Sequence, residues 1–518
     1  RNGKGDTGKD GEAVDVDSGK KKNNFLIFMT DQQMGTTQQS KGPAYMPNLE
    51  RLKRHGVTFQ EAYCPSPHCC PSRASFFSGL YPSEHGIWNN IDLADAFSHG
   101  LNDGIKLFSE DLKEAGYQMY FSGKWHVSAE EGSGDRGFGP WIYPPQEGRY
   151  KPWKRTPFMG DWDWLLEEDD IALEEGRREG EISRIGFPQY SQYGVTENPF
   201  GDGDVVSCAE GWLENVSKDE PFCMYVGTLG PHDPYFVPQQ YLDLYSDESI
   251  VLPESWKDRM LDKPNLYRRT RERFDQLGEA EQKRSLKHYL AFCSYEDALF
   301  GRLLDVLERR ELLEDTVILY ISDHGDYAGA HGLWTKGLPC FKEAYHICSV
   351  IGYGGIKAEG GVVGHRVSLL DYAPTFLELA GILEVDDVEV KRRFSGRSLK
   401  PFLEGNIPEK WRSETYTQSN GNECYGIQRS IFTDEYHFVF NGFDFDELYD
   451  LKKDPDCMKN VIEEHEYEAV IYDLYKKLWK FAYLHRDALG DPYITTALAR
   501  YGPGIIRGVK REKKKKRE

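Results

Sequence analysis

Four short polar clusters in this sequence have the residue types that handle cations and anions: Asp31-Gln32, Lys124-Trp125-His126, His232-Asp233 and Asp323-His324-Gly325-Asp326. Asp31, Gln32, Asp323 and His324 together supply two carboxylates, an amide oxygen and an imidazole. That set suits one divalent cation with mainly oxygen ligands: calcium first, with magnesium or manganese left open by the amide and the imidazole. Taken singly, each cluster reads equally as a helix cap or a loop-satisfying pair. A fifth segment, Cys64-Pro65-Ser66-Pro67-His68-Cys69-Cys70-Pro71-Ser72-Arg73, places thiols beside a guanidinium. Cys64, His68, Cys69 and Cys70 invite a zinc reading, but adjacent ligands at 69 and 70 fit the usual zinc spacings poorly. A plain buried-thiol reading leaves Pro71-Ser72-Arg73 without a role.

What would bring the clusters together is the element that precedes each one. Phe25-Leu26-Ile27-Phe28-Met29 is a continuous apolar run ending at Thr30-Asp31-Gln32, the pattern of a strand buried on both faces. Runs of the same kind recur at 117–121, 222–228, 316–321 and 347–352. Between them lie stretches of helical periodicity, among them Met46–His55, Ile105–Ala115 and Leu286–Leu313. Alternation on this scale predicts an α/β domain with a large, mostly parallel sheet flanked by helices, and ligands gathered at the carboxyl ends of the strands. After about residue 405 short alternating runs and a helical stretch near 459–482 predict a smaller C-terminal subdomain, an antiparallel sheet plus helix. The expected organisation is a disordered segment over 1–22, a catalytic domain over 23–404, the C-terminal subdomain over 405–485 and a tail over 486–518 with a basic end. Residues 134–200, rich in Trp, Tyr, Pro, Gly and charge, read as an insertion.

Composition narrows the classes. Of 518 residues, 64 are Lys or Arg and 85 are Asp or Glu, a net charge of −21. Such acidity argues against a general nucleic-acid binder, which needs a basic face. No stretch approaches the roughly 20 consecutive apolar residues of a membrane span. Ten cysteines in a chain of this length are too few for a disulfide scaffold. A secreted or periplasmic location is the expectation, and the oligomeric state is left open.

Cys69-x-Pro71-Ser72-Arg73 followed by Ser78-Gly79 resembles the signature of the formylglycine-dependent type I sulfatases, in the alkaline phosphatase superfamily. The rest of the chain is similar in order: Asp31-Gln32 and Asp323-His324-Gly325 to the two metal pairs, though many members have two Asp at the first and Asp-Asn at the second. Gly123-Lys124-Trp125-His126 is similar to the Gly-Lys-Trp-His segment, Pro231-His232-Asp233-Pro234 to Pro-His-x-Pro, and the run His331 to Gly337 to the segment carrying a second lysine, here Lys336. Leu369 to Thr375 and Glu447 to Leu451 resemble later landmarks, so the resemblance spans about 24–483.

The resemblance implies that a maturation enzyme oxidises Cys69 to formylglycine, whose hydrate attacks sulfur and forms a covalent hemiacetal sulfate. It implies metal binding by Asp31, Gln32, residue 69, Asp323 and His324, a hydrate fixed by Arg73, and a sulfate held by Lys124, Lys336 and His232. The leaving oxygen takes its proton from His232 or Lys336, and His126 is the base for elimination. A sulfated carbohydrate is the expected substrate, because Trp141, Tyr143, Tyr150, Trp153, Trp162 and Trp164 alternate with Arg149, Lys151, Lys154 and Arg155. Trp141, Trp153 and Arg155 are the candidate sugar contacts, although the stretch reads equally as an insertion packing its aromatics on the main domain. Two rivals remain. One is a phosphonate monoester or phosphodiester hydrolase of the same superfamily, a group that resembles sulfatases closely and also uses Asp-Gln and Asp-His metal pairs but lacks the pair present here as Lys124 and His126. The other is an inactive relative that binds sulfated glycan.

Overall fold

The computed structural model describes residues 22–93, 96–139, 141–143, 163–169, 171–384, 392–490 and 493–510. Its centre is strand β1 (Asn24–Thr30), whose seven residues are all buried. Phe25, Ile27 and Met29 face one apolar cluster and Leu26 and Phe28 another on the opposite side. A strand that must satisfy two cores has no room for alternation with polar residues, hence its uninterrupted apolar run.

Around β1 stand β2 (Gly56–Tyr63), β3 (Gln118–Gly123), β4 (Trp141–Tyr143), β5 (Phe222–Gly227), β6 (Thr316–Ser322), β7 (Ser349–Gly352) and β8 (Gly361–Ser368), in the spatial order β8-β2-β7-β6-β1-β5-β3-β4. β7 pairs antiparallel with both neighbours and every other pair is parallel. This is the expected large, mostly parallel sheet. The register then aligns the loops. Thr30 lies opposite Ser322, Met29 opposite Gly227, and Gly227 opposite Gly123. The residues just beyond these ends, at 31, 124, 228 and 323, therefore leave the sheet side by side.

Helices cover both faces: α1 (Pro47–Arg54), α2 (Cys69–Ser78), α3 (Phe108–Glu114), α4 (Asp202–Leu213), α5 (Glu279–Arg309) and α6 (Tyr372–Leu379). α5 begins seven residues before the apolar periodicity, because Glu281 reaches back to the Gly278 amide in a capping arrangement on a polar first turn. β2 and β8 were not evident from the sequence. β8 is an edge strand with a half-exposed first half, so it lacks the double-sided burial that marks the others.

The second, smaller sheet is antiparallel: β9 (Thr415–Gly421), β10 (Tyr425–Phe432), β11 (Tyr436–Asn441) and β12 (Glu447–Asp450), with α7 (Glu468–Leu484) packed on it. Within the segment 486–518, expected as a tail, Leu489, Tyr501, Ile505 and Ile506 instead pack back on this unit. Buried Arg429 pairs with Asp487 at 2.5 Å, and Trp479 Nε1 donates to the Tyr501 carbonyl at 2.7 Å. The insertion is also partly structural, since Trp141–Tyr143 extends the main sheet beside β3. The segment expected to be disordered lies, but for Lys22, outside the described residues, as does 511–518. Among the described residues no helix is long and apolar enough to cross a membrane.

Candidate active site

Cys69 is the first residue of α2, and all ten residues of that helix are buried. Pro71 sits in the first turn, where its missing N–H forfeits no helical hydrogen bond. Arg73 lies one turn on and so shares the face of Cys69. Its guanidinium, fully buried, donates from Nε to Asp323 Oδ2 at 2.9 Å, from Nη2 to Asp31 Oδ2 at 3.2 Å and from Nη1 to the Tyr225 hydroxyl at 3.0 Å. It thereby ties α2 to the ends of β1 and β6.

Asp31, Cys69, Asp323 and His324 present one ligand atom each within 4.8 Å of one another, all buried. His324 Nε2 is 3.2 Å from Cys69 Sγ and 3.4 Å from Asp31 Oδ1, while Nδ1 faces the Gly325 carbonyl oxygen at 3.0 Å. Gly325 is needed there because a Cβ would fall 1.9 Å from the Glu343 carbonyl oxygen. Burial and the Cys69 thiol push the Asp31 carboxyl up, but Lys124, His232 and Arg73 outweigh them and hold it well below the usual range. Asp323 is pushed up by burial and by the charge of Asp31. Two buried carboxylates facing an imidazole fit a divalent cation, which would relieve their mutual repulsion.

The remaining predicted residues ring this cluster. Lys124 Nζ lies 2.5 Å from Asp31 Oδ2. Burial works against its charge, but Asp31 raises its pKa on balance. Lys336 Nζ donates to Gln32 Oε1 at 2.8 Å and lies 2.6 Å from His232 Nε2. Gln32, at φ +70°, turns its amide nitrogen to Asp233 and Asp326, so here its side-chain oxygen serves Lys336. His126 lies against the thiols of Cys69 and Cys70, with Nε2 3.1 Å from Asp92 Oδ1. Burial raises the Cys69 thiol, but Lys124, Lys336 and His324 carry it well below its ordinary value. Trp141 begins β4 at the sheet edge, and Trp153 and Arg155 lie outside the described residues.

Residues to which the sequence assigns no part in the reaction also enter the site. A cavity of about 400 Å³ opens over His232 and Lys336 and is lined also by His68, Asn90, Asn422 and Glu423. His68 is 2% exposed and neither ring nitrogen has a hydrogen-bond partner. Burial, reinforced by Lys336 and His324, brings its pKa down to about 3, so it is neutral. Asn90 accepts from the Cys70 amide and donates from its own amide to Asn422 Oδ1, joining the start of α2 to the smaller sheet unit. The motif-bearing residues were visible by type. Of these wall residues, His68 stands in the Cys64 to Arg73 segment, where only the zinc reading uses it, and Asn90, Asn422 and Glu423 come from loops with no motif.

A family model described as sulfatase matches residues 23–382, and one described as the C-terminal part of N-sulphoglucosamine sulphohydrolase matches residues 329–483. Choline-sulfatase of Rhizobium meliloti is 30% identical over 460 residues, 85% of this chain and 83% of the relative. Two solved structures share the fold. One is a protein in complex with its substrate D-glucosamine-2-N,6-O-disulfate, with TM-score 0.68 and 23% identity, covering 90% of this chain and 99% of that one. The other is phosphonate monoester hydrolase of Agrobacterium radiobacter, with TM-score 0.69 and 20% identity, covering 90% and 96%. The family match over most of the chain, set on a site built for an anion and a cation, places this protein in the sulfatase family of sulfuric ester hydrolases, within the alkaline phosphatase superfamily.

Proposed function

We propose that the protein hydrolyses a sulfate ester of a carbohydrate, with Cys69 matured to formylglycine as the reacting residue. The observation that carries this reading is the position of Cys69. It heads a buried helix, within reach of His324 and Asp31 and inside the field of Lys124 and Lys336. Asp31, Asp323, His324 and residue 69 would hold a divalent cation, calcium by the preponderance of oxygen donors, and the ion would supply positive charge to the oxygens at the centre. Formylglycine supplies an aldehyde hydrate, one of whose hydroxyls is a nucleophile while the other allows later release of sulfate. Arg73 fixes the two carboxylates and thereby the floor of the site. Lys124 on one side and Lys336 with His232 on the other are placed to neutralise the sulfate oxygens and the charge that develops on the bridging oxygen. The 2.6 Å contact between Lys336 and His232 lets either group deliver the proton to the departing alcohol. His126, oriented by Asp92, stands against residue 69 as the base that removes a hydroxyl proton.

A carbohydrate alcohol is favoured over choline by the lining of the cavity. Among its described residues are imidazoles, amides, a lysine and the carboxyls of Asp233 and Glu423 but no Phe, Tyr or Trp, whereas a quaternary ammonium calls for a cage of such rings. The name of the matching C-terminal family points the same way. The phosphonate hydrolase reading is disfavoured because Lys124 and His126 are both present at the site. The test is a panel of aryl sulfate, aryl phosphonate and sulfated sugars, with intact-mass measurement of the conversion of Cys69 from thiol to aldehyde. Release of sulfate from sugars well above phosphonate turnover is expected. Faster phosphonate or phosphodiester turnover by converted protein would overturn it.

A further inference from the structure

A second cavity, of about 510 Å³, adjoins the one over His232 and Lys336 and shares Asp233 and Thr335 with it. Its walls carry the apolar side chains of Ile182, Ile185, Phe187 and Phe274 and two guanidiniums, Arg184 and Arg273, with Tyr190, Thr335 and the Asp233 carboxylate completing the lining. Arg184 comes from the insertion. It is half-buried over the rings of Phe187 and Tyr190, and its Nε donates to the Pro188 carbonyl at 2.8 Å. Arg273 comes from the helix Asn265–Phe274 and also lines a third cavity, of about 630 Å³, which shares Leu266 and Thr270 with the first.

Among the described residues neither arginine has a carboxylate within ion-pair distance, although the protein carries 85 acidic residues against 64 basic ones. The acids nearest in sequence are engaged elsewhere. Glu272 pairs with Arg268, and Asp275 with Arg271. Asp233, which also lines the cavity, is occupied by Gln32, Tyr190 and His232. Arg184, partly withdrawn from water with no anion beside it, bears a desolvation cost, and burial indeed pulls its pKa down, while Arg273 is exposed at the rim of the same cavity. An anion entering between the two guanidiniums offsets that cost, since charge-assisted hydrogen bonds to arginine are among the strong ones.

We propose that Arg184 and Arg273 form a binding site for a second anionic group of the substrate, a sulfate or a uronate carboxylate on the same glycan, next to the sulfate held over Lys336 and His232. This rests on the sulfatase reading above and specifies its substrate as a polyanionic saccharide. The apolar walls between the arginines suit the face of a sugar ring.

The test compares Arg184→Ala, Arg273→Ala, the double variant and Arg273→Lys with the wild type, all matured and metal-loaded. The substrates are 4-nitrophenyl sulfate, with one anion; D-glucosamine-2-N,6-O-disulfate, with two sulfates; and a disaccharide with one sulfate and one uronate. Calorimetry of the same two sugars with the metal-loaded Cys69→Ala protein, with and without the arginine changes, reads binding independently of turnover. Loss of about 10- to 100-fold in kcat/KM on the two-anion sugars, carried by KM, is expected for each alanine variant. The fall on 4-nitrophenyl sulfate stays within about threefold and Arg273→Lys is intermediate. Whichever two-anion sugar shows the larger loss identifies the second group as sulfate or carboxylate. Equal losses on all three substrates, or none on the two-anion sugars, overturn the site while leaving the sulfatase reading intact. If wild type releases no sulfate from any of them, the sulfatase reading falls. The arginine site then stands or falls on whether the alanine changes weaken sugar binding by calorimetry.

Discussion

At the scale of single residues, the site depends on charges that hold one another in place. Arg73 bridges Asp31 and Asp323 where all three are excluded from water, so its removal takes the guanidinium from Asp323 and leaves Asp31 with Lys124. Cys69, rather than Cys70, faces this cluster. Cys69→Ala is therefore expected to abolish sulfate release, while Cys70→Ala, whose thiol meets the Ile91 amide and His126, should keep activity within about tenfold, a loss of about 1.4 kcal/mol at most. Steady-state assays of the two variants decide it, and a dead Cys70 variant beside an active Cys69 variant would reassign the nucleophile. Lys124→Ala should lower kcat/KM by about 2–4 kcal/mol of transition-state stabilisation, by analogy with the loss of one oxyanion donor. Metal removal belongs here as well. Treatment with EDTA should end activity and lower the melting temperature, because Asp31 and Asp323 then repel one another in a buried site with Arg73 and Lys124 left to offset them. Add-back of calcium should restore both, and full activity in protein shown by elemental analysis to be metal-free would exclude the shared site.

Elements decide which of these residues can meet. The adjacency β3-β5-β1-β6 puts four loops at one edge, and α2 delivers Cys69 and Arg73 to it from one face. The smaller sheet is fastened to the main domain through a buried carboxyl. Glu447 in β12 accepts from Tyr267 at 2.7 Å, Tyr449 at 2.6 Å and Asn441 at 2.8 Å. Burial raises its pKa to about 7 against the neutral donors that lower it. A carboxyl raised in the folded state adds stability that is complete below its unfolded pKa near 4.5 and is lost as pH rises through about 7. Between pH 4.5 and 7.5 the wild type should thus lose about 3 kcal/mol relative to Glu447→Gln. Denaturant melts of both proteins across that range check it, and parallel curves would show that Glu447 does not titrate there.

For the molecule as a whole, a net charge of −21 opposes an anionic substrate, yet Lys336, Arg184 and Arg273 line two adjoining cavities. A local field of this kind dominates once a ligand is within about a Debye length, roughly 8 Å at physiological salt. For a sulfated sugar, kcat/KM should accordingly fall as sodium chloride is raised from about 20 to 300 mM. A rise would mean that the global charge governs encounter.

The sequence alone determined the residues of the centre and the strands that carry them. Asp31 and Asp323 follow apolar runs that double-sided burial forces to be strands, whereas the helix that puts Cys69 and Arg73 on one face came only with the structure. Local pattern is sufficient there because burial on both faces leaves its mark on every residue of the run. Only the tertiary structure decided that Gln32 turns toward Lys336, that Asp92 backs His126, and that Asp487 and Tyr501 are tied to the smaller sheet unit. Above all, it decided that an arginine of the insertion and one of a distant helix, 89 positions apart in sequence, line a single cavity. Such pairings depend on how far loops travel before they return, and no spacing along the chain encodes that distance.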